Sequence, residues 1–185
     1  MHRSVLPILA GAAVLLSACG EPTSPAGRGK PPVPSKPEPP ALWSVESQDE
    51  QGKVTKTVLV CADTSVHRSF SRPIPSPNGQ PCKLIAPPIE QGDRFAARCK
   101  AGRAHLDIQS VRTGNPDQDF VITLMVRTDV KAGEELPQTL HYRRLGDCPS
   151  GWTAGDSGAP GDRKLVNSVA GTSRDLASPI KVPGS

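Results

Sequence analysis

The sequence predicts a mainly β protein: an antiparallel meander forming a curled sheet or partial barrel with one short helix, stapled by disulfides and flanked by disordered tails. Three observations predict it. Runs rich in β-branched and apolar residues recur at short, even spacing between 41 and 149, with Gly- and Asp-containing turns between them. Four of the chain's five cysteines lie in that same region, an even number. The 21 prolines and 17 glycines among 185 residues, with few aromatics, are too many breakers for one compact domain spanning the whole chain.

Taken in order, the chain opens with His2 and Arg3, then the apolar run from Val5 to Leu16, then Ser17-Ala18-Cys19-Gly20. This is the basic, apolar and small-residue order of a secretory signal. Pro7, Gly11 and the absence of a polar face argue against a buried helix, and the run falls short of the roughly 20 residues a spanning helix needs. Leu16-Ser17-Ala18-Cys19 resembles the lipobox of bacterial lipoproteins. The resemblance implies cleavage after residue 18, a diacylglyceryl thioether on Cys19 and a further acyl chain on its new α-amino group. Each buried methylene contributes about 0.8 kcal/mol, so two or three chains anchor a protein stably where one does not. Gly20 stands where such lipoproteins often carry an Asp that retains them in the inner membrane, which favours the outer membrane, facing the periplasm.

From 19 to 40 the chain carries Pro22, Pro25, Pro31, Pro32, Pro34, Pro37, Pro39 and Pro40 with no apolar periodicity. It reads as an extended tether that lifts a domain off the lipid. Residues 41–149 form one β-rich domain of ordinary size. Residues 150–185, rich in Gly, Ser, Pro and Asp with scattered Trp152, Leu165, Val166, Val169 and Leu176, read as disordered, with room for a short helix near 163–169. The formal net charge is +4, with both signs interspersed and no sustained basic run, which disfavours a nucleic-acid partner.

Within the domain, the runs 42–48 and 54–61 flank Asp49-Glu50-Gln51-Gly52 and predict a hairpin. Val54, Val58 and Val60 share one face with Lys56; Thr55, Thr57 and Leu59 share the other, one face wet and one packed. Asp63-Thr64 predicts the cap of a short helix ahead of Val66, His67 and Phe70. The runs 82–86 and 94–99 bracket Glu90-Gln91-Gly92-Asp93; the runs 104–111 and 120–128 bracket Thr113 to Asp117; and 138–145 follows Lys131-Ala132-Gly133-Glu134. The expected core is Trp43, Val45, Val58, Val60, Leu84, Phe95, Leu106, Ile108, Ile122, Leu124, Val126, Leu140 and Tyr142.

Setting Cys19 aside leaves Cys61, Cys82, Cys99 and Cys148, which in an exported chain predict disulfides. Folding about Gln91 places Cys82 opposite Cys99 and leaves Cys61 for Cys148. The rival pairing, Cys61 with Cys82 and Cys99 with Cys148, is open at this point, and each bridge contributes roughly 3 kcal/mol. No CxxC or HxxxH spacing is present and the histidines are scattered, so neither a metal nor a cofactor is expected.

Pro40-Ala41-Leu42-Trp43-Ser44-Val45, Thr57-Val58-Leu59-Val60-Cys61, Pro81-Cys82, Arg98-Cys99 and Tyr142-Arg143-Arg144-Leu145-Gly146-Asp147-Cys148-Pro149 resemble the proteobacterial exported proteins grouped as domain of unknown function 3617. Ala41 and Ser44 depart from the family's Gly and Glu, and its Met- and Gly-rich strands are largely replaced. The resemblance implies an exported, β-rich, disulfide-bearing domain and brings no reaction with it.

Among chemistry-bearing residues, Arg94, Arg98, Lys100 and Arg103 are expected around one hairpin end, with Arg143 and Arg144 on the last strand. Arg94, Arg98, Arg143 and Arg144 are the candidate contacts for anionic groups of lipopolysaccharide or peptidoglycan. His105 and Asp107, two apart on one strand face, are the candidate dyad of an envelope hydrolase, with Ser110 on the opposite face. A solvated strand face explains the pair as well, since no GxSxG is present. Asp156-Ser157-Gly158 matches a serine-protease tripeptide without the accompanying framework. The leading expectation is therefore a non-catalytic envelope lipoprotein, held to the membrane by lipid, whose β-domain binds a periplasmic protein, lipid or glycan. A hydrolase or a purely structural surface lipoprotein are the alternatives, and a hollow or filled sheet interior separates the last from the first.

Overall fold

A computed structural model of the chain describes residues 38–77, 82–129 and 135–183. The expected signal segment, Cys19 and the tether up to residue 37 lie outside the described residues, as does the turn at 131–134. The described residues belong to one compact unit.

Strands β1 (Ala41–Gln48) and β2 (Val54–Ala62) make the first hairpin. Asp49 closes its turn, its carboxylate accepting from the Gln51 and Lys53 amides at 3.1 and 2.8 Å, while Gly52 takes φ +77°. Helix α1 (Thr64–Phe70) starts at Asp63, whose carboxylate accepts from the Ser65 and Val66 amides at 3.0 and 2.9 Å. These hydrogen bonds hold the Asp63 carboxyl below its ordinary range. Val66 and Phe70, four apart, are the helix's buried stripe.

The expected 82–86 strand is shortened to β3 (Lys83–Leu84), and part of the expected turn forms a further strand, β4 (Ile89–Gln91); both pair with β5 (Arg94–Ala101). Pro87 and Pro88 stand between them and have no N–H to give the ladder. A meander follows through β6 (Ala104–Asn115), β7 (Asp119–Thr128) and β8 (Glu135–Asp147), and β8 returns to pair with β1.

Residues 150–183 correct the expectation of a disordered tail. They form β9 (Asp156–Gly158), β10 (Lys164–Asn167) and β11 (Thr172–Asp175), and the short helix allowed near 163–169 is strand instead. The result is one antiparallel sheet of eleven strands in the order β11-β10-β9-β2-β1-β8-β7-β6-β5-β3, with β4 also on β5. Its ends do not meet, so it is open.

One face of the sheet is filled by side chains. Beneath α1 lie Trp43, Phe120, Ile122 and Tyr142 with Val66 and Phe70; further along are Phe95, Ala97, Cys99, Leu106, Ile108 and Leu124. Four of the six aromatic residues gather at the helix: Phe120 stacks on Tyr142 at 4.7 Å, Phe70 lies 4.8 Å from Tyr142, and Trp43 meets both Phe70 and Phe120 edge-on. Of the expected core, Val45, Val60, Val126 and Leu140 pack at the margins, Val58 is half-buried and Leu84 is exposed, because β3 is the terminal strand of the sheet.

The opposite face is also packed where β1 and β2 run. Leu42 and Leu59 are fully buried there against Leu165 and Ile180, with Leu145, Trp152, Leu176 and Val182 around them. This overturns the expected one-wet, one-packed division of β2: the wet half is Val54 to Lys56, and from Leu59 onward both sides are covered. Asp156 fixes the covering segment. It has no exposed surface, and its carboxylate accepts from the Thr153 amide at 2.7 Å, the Asn167 side-chain amide at 2.9 Å and Arg174 at 2.7 Å. Burial opposes its charge, yet these three donors outweigh the cost and leave the carboxyl below its ordinary value. Gly158 is required by close approach, since a Cβ there would stand 2.9 Å from the Lys164 carbonyl oxygen.

Candidate functional site

Two clefts flank α1. The first, of about 410 Å³, lies at the helix start, where Asp63, Thr64 and His67 face Trp43, Asp117 and Arg144, and Glu38 and Pro39 complete its wall. Trp43 and His67 stack at 4.8 Å, and the His67 Nε2–H donates to the Pro116 carbonyl at 2.8 Å. A carbonyl only accepts, so that contact fixes the proton on Nε2.

A bulge in β8 puts Arg144 into this cleft. The β1–β8 register runs Leu42↔Gly146 and then Trp43↔Arg144, so Leu145 is an extra residue. Gly146 takes φ +127°, a conformation other residues rarely adopt. Arg144 therefore shares the Trp43 side, where it meets Glu38 at 3.8 Å, while Leu145 packs with the Leu42–Leu59 cluster. The Arg-Leu-Gly sequence is thus a device for placing a cation on one side and an apolar anchor on the other.

The second cleft, of about 210 Å³, lies at the helix end. Arg68, Ser71 and Arg72 from the helix and its exit face Glu90, Asp93, Arg94, Phe95, Ser110 and Arg112 from the sheet. Arg72 pairs with Glu90 at 2.9 Å and Arg112 with Asp93 at 2.7 Å, while Arg112 also donates to the Ser71 hydroxyl at 2.8 Å. A third hollow, near 300 Å³ and more apolar, lies by β4 around Ile89, Ala96 and Arg98.

The arginines expected to gather do not. Arg94 and the Lys100–Arg103 stretch stand at opposite ends of β5, because the strand runs extended between its two turns, about 3.3 Å per residue. Arg98 is engaged with Asp107 at 2.6 Å, Arg143 with Glu46 at 3.0 Å and Arg144 with Glu38. Of the four candidates only Arg94 lines a cleft without a carboxylate partner among the described residues. Arg68, Ser110 and Arg112 complete that cleft and were not among the anion-binding candidates; their sequence separation hides the grouping, which the β5–β6 register and the position of α1 create.

His105 and Asp107 share a face but act apart. His105 Nδ1 meets the Asp129 carboxylate at 2.7 Å, and the His105 amide donates to the same residue, which holds the Asp129 carboxyl low. Asp107 belongs to Arg98. His141 lies between Asp119, at 2.7 Å, and Glu46, at 3.7 Å.

No family model, curated protein or solved structure matches the chain. Among the described residues no three His, Cys, Asp or Glu side chains gather as metal ligands, and no helix is long and apolar enough to cross a membrane. The disulfides are Cys61–Cys148 and Cys82–Cys99, with Cα separations of 5.6 and 5.4 Å; the rival pairing is not formed. The first ties the end of β2 to the exit of β8; the second covers the Phe95–Leu106 part of the packed face.

Proposed function

We propose that this protein is a non-catalytic envelope lipoprotein. In this reading it is held by lipid on Cys19 to the periplasmic side of the outer membrane, and its β-domain binds a periplasmic ligand or partner at the clefts beside α1. The observation that carries it is where the hollows lie. The sheet face itself is filled by side chains, as the purely structural alternative expects; what favours binding is the open space outside it, above all the two clefts at the ends of the helix, lined by Trp43, His67 and arginines. Glu38 and Pro39, near the end of the proline-rich tether, form part of the first cleft's wall.

The separate engagements of His105 and Asp107 favour binding over the hydrolase reading. The test is capture from detergent-solubilised envelope by the full-length chain. The proposal expects one lipid, glycan or protein class to be enriched by the wild type and lost from Arg144→Glu or Arg94→Glu. Equal recovery by wild type and both folded variants would overturn it.

A further inference from the structure

The binding reading concerns the clefts beside α1; the opposite face of the sheet carries an inference that goes beyond it. Near its terminal strands that face is bare. Ile89 stands opposite Ala96, which alternates along β5 with Phe95 and Ala97 of the packed face, so both point away from the core. Lys83 stands opposite Lys100 on the same outer side, and the Ile85 amide continues that register by donating to the Arg98 carbonyl at 3.0 Å. Ile85 and Ile89 are 52 % and 60 % exposed, and the more apolar hollow lies beside them, lined by Ala86, Pro87 and Ile89.

The charge around these isoleucines is one-sided. Asp107 is engaged by Arg98, Asp129 by His105 and Glu135 by Arg127, while Glu90 turns to the helix side, where Arg72 takes it. Lys83, Lys100 and Arg103 are exposed and have no carboxylate partner among the described residues. Lys83 and Lys100 are cross-strand neighbours, an arrangement in which like charges repel. Lysine and proline on a terminal strand guard it against pairing with other chains. That guard does not call for two isoleucines, each more than half exposed, beside it.

We propose that this corner of the sheet, formed by β3, β4 and the β5–β6 turn, docks on the surface of a bilayer that contains anionic lipid. Exposed apolar side chains rimmed by polar ones mark contact surfaces, and three unpartnered cations select a negatively charged one. Isoleucines flanked by long basic side chains suit the lipid interface in particular: the apolar groups enter the acyl boundary while the ammonium and guanidinium heads stay among the phosphates. Docking on this side leaves α1, which packs on the other face, turned away from the lipid.

The test uses the full-length chain with Cys19→Ser and Ala86→Cys, so that the polarity-sensitive fluorophore NBD enters only between the two isoleucines. Vesicles of equimolar phosphatidylglycerol and phosphatidylcholine, at low salt, should shift its emission to the blue and brighten it several-fold. The same label on Thr172→Cys, in the opposite terminal strand, should keep its aqueous emission. A basic side chain near an anionic surface contributes about fivefold to binding, so Lys83→Gln/Lys100→Gln should raise the half-maximal lipid concentration at least roughly tenfold. Lys53→Gln/Lys56→Gln, which takes the same charge from the first hairpin, should change it less than about twofold, and Ile85→Asn/Ile89→Asn should abolish the blue shift. No shift on anionic vesicles, an equal shift on pure phosphatidylcholine, or an equal response at residue 172 overturns the inference. So does a response to lipid-free envelope protein or to raised protein concentration alone, which would give the surface to a protein partner or a second copy. The tested chain carries no lipid, so an unmodified Cys19 in the cell would leave this docking standing.

Discussion

Raising the pH tests the aromatic cluster beneath α1 without any mutation, because the chain has a single tyrosine and it sits there. Tyr142 is 5 % exposed, flanked by Phe70 and Phe120, and burial pushes its phenol from the ordinary 10.0 up to about 12. In the unfolded chain the same phenol ionises near its ordinary value. The folded form therefore keeps its full contribution below pH 10 and loses it as pH climbs from 10 toward 12, since only the unfolded state can ionise in that window. Two pH units at 1.36 kcal/mol each amount to about 2.7 kcal/mol, a large part of the 5–15 kcal/mol that typically separates folded from unfolded domains. Absorbance at 295 nm reports the phenolate directly, and near-UV dichroism reports whether the cluster is intact. The expectation is a phenol that stays protonated to well above pH 10 while dichroism is native, and a Tyr142→Phe variant whose urea midpoint falls less steeply across pH 10–12. A phenol titrating near 10 in the folded protein, or parallel stability curves for the two proteins, would refute the argument.

Other expectations follow from the same geometry. Asp156→Ala leaves the Thr153 amide without its acceptor, takes one of several acceptors from Asn167 and removes the ion-pair partner of Arg174, which keeps the Gly151 carbonyl; with Arg174 itself 44 % exposed, a loss of about 2–3 kcal/mol is expected. Hydrogen exchange should quicken over 150–183 before it does in β5–β8. Because the Asp156 carboxyl is held below its ordinary 3.8, its contribution is present above that pH and lost as pH falls below it, so acid should loosen this segment in the wild type and have no such extra effect in the variant. Cys61→Ser/Cys148→Ser removes a cross-link spanning 87 residues and should cost more, about 4.5 kcal/mol in the loop-entropy account, than Cys82→Ser/Cys99→Ser, which spans 17 and should cost about 3; urea midpoints give the order. Leu59→Ala, at a fully buried site between β2 and the C-terminal strands, should cost about 2–5 kcal/mol, read by thermal unfolding.

The long strands from 41 to 147 were legible because each carries local signals, alternation and a turn with Gly or Asp, whereas the short β4 after Pro87 and Pro88 was read as turn; the helix was legible from its cap. The Cys82–Cys99 pairing followed from hairpin symmetry. What was not legible depends on distant partners. Residues 150–183 hold few apolar side chains, and nothing local shows that Leu165 and Ile180 meet Leu42 and Leu59, or that the polar residues Asp156, Asn167 and Arg174 satisfy one another. A segment judged by its own burial looks unable to fold; judged with the exposed back of β1–β2 it has enough. The candidate anion site suffered the same limit. Counting arginines along β5 and β8 ignored the acidic residues across the ladder that engage Arg98 and Arg143, and it could not anticipate that Arg68 of α1 would line a cleft with Ser110 and Arg112.

The central claim is that this β-domain is displayed from a membrane by lipid on Cys19. Mass spectrometry of the N-terminal peptide of the mature protein, purified from the membrane fraction of its producing cell, addresses it directly. The account predicts a peptide beginning at Cys19 that carries a diacylglyceryl thioether, with Cys19→Ser moving the chain out of that fraction. An unmodified Cys19, or a mature chain that still contains residues 1–18, would contradict it.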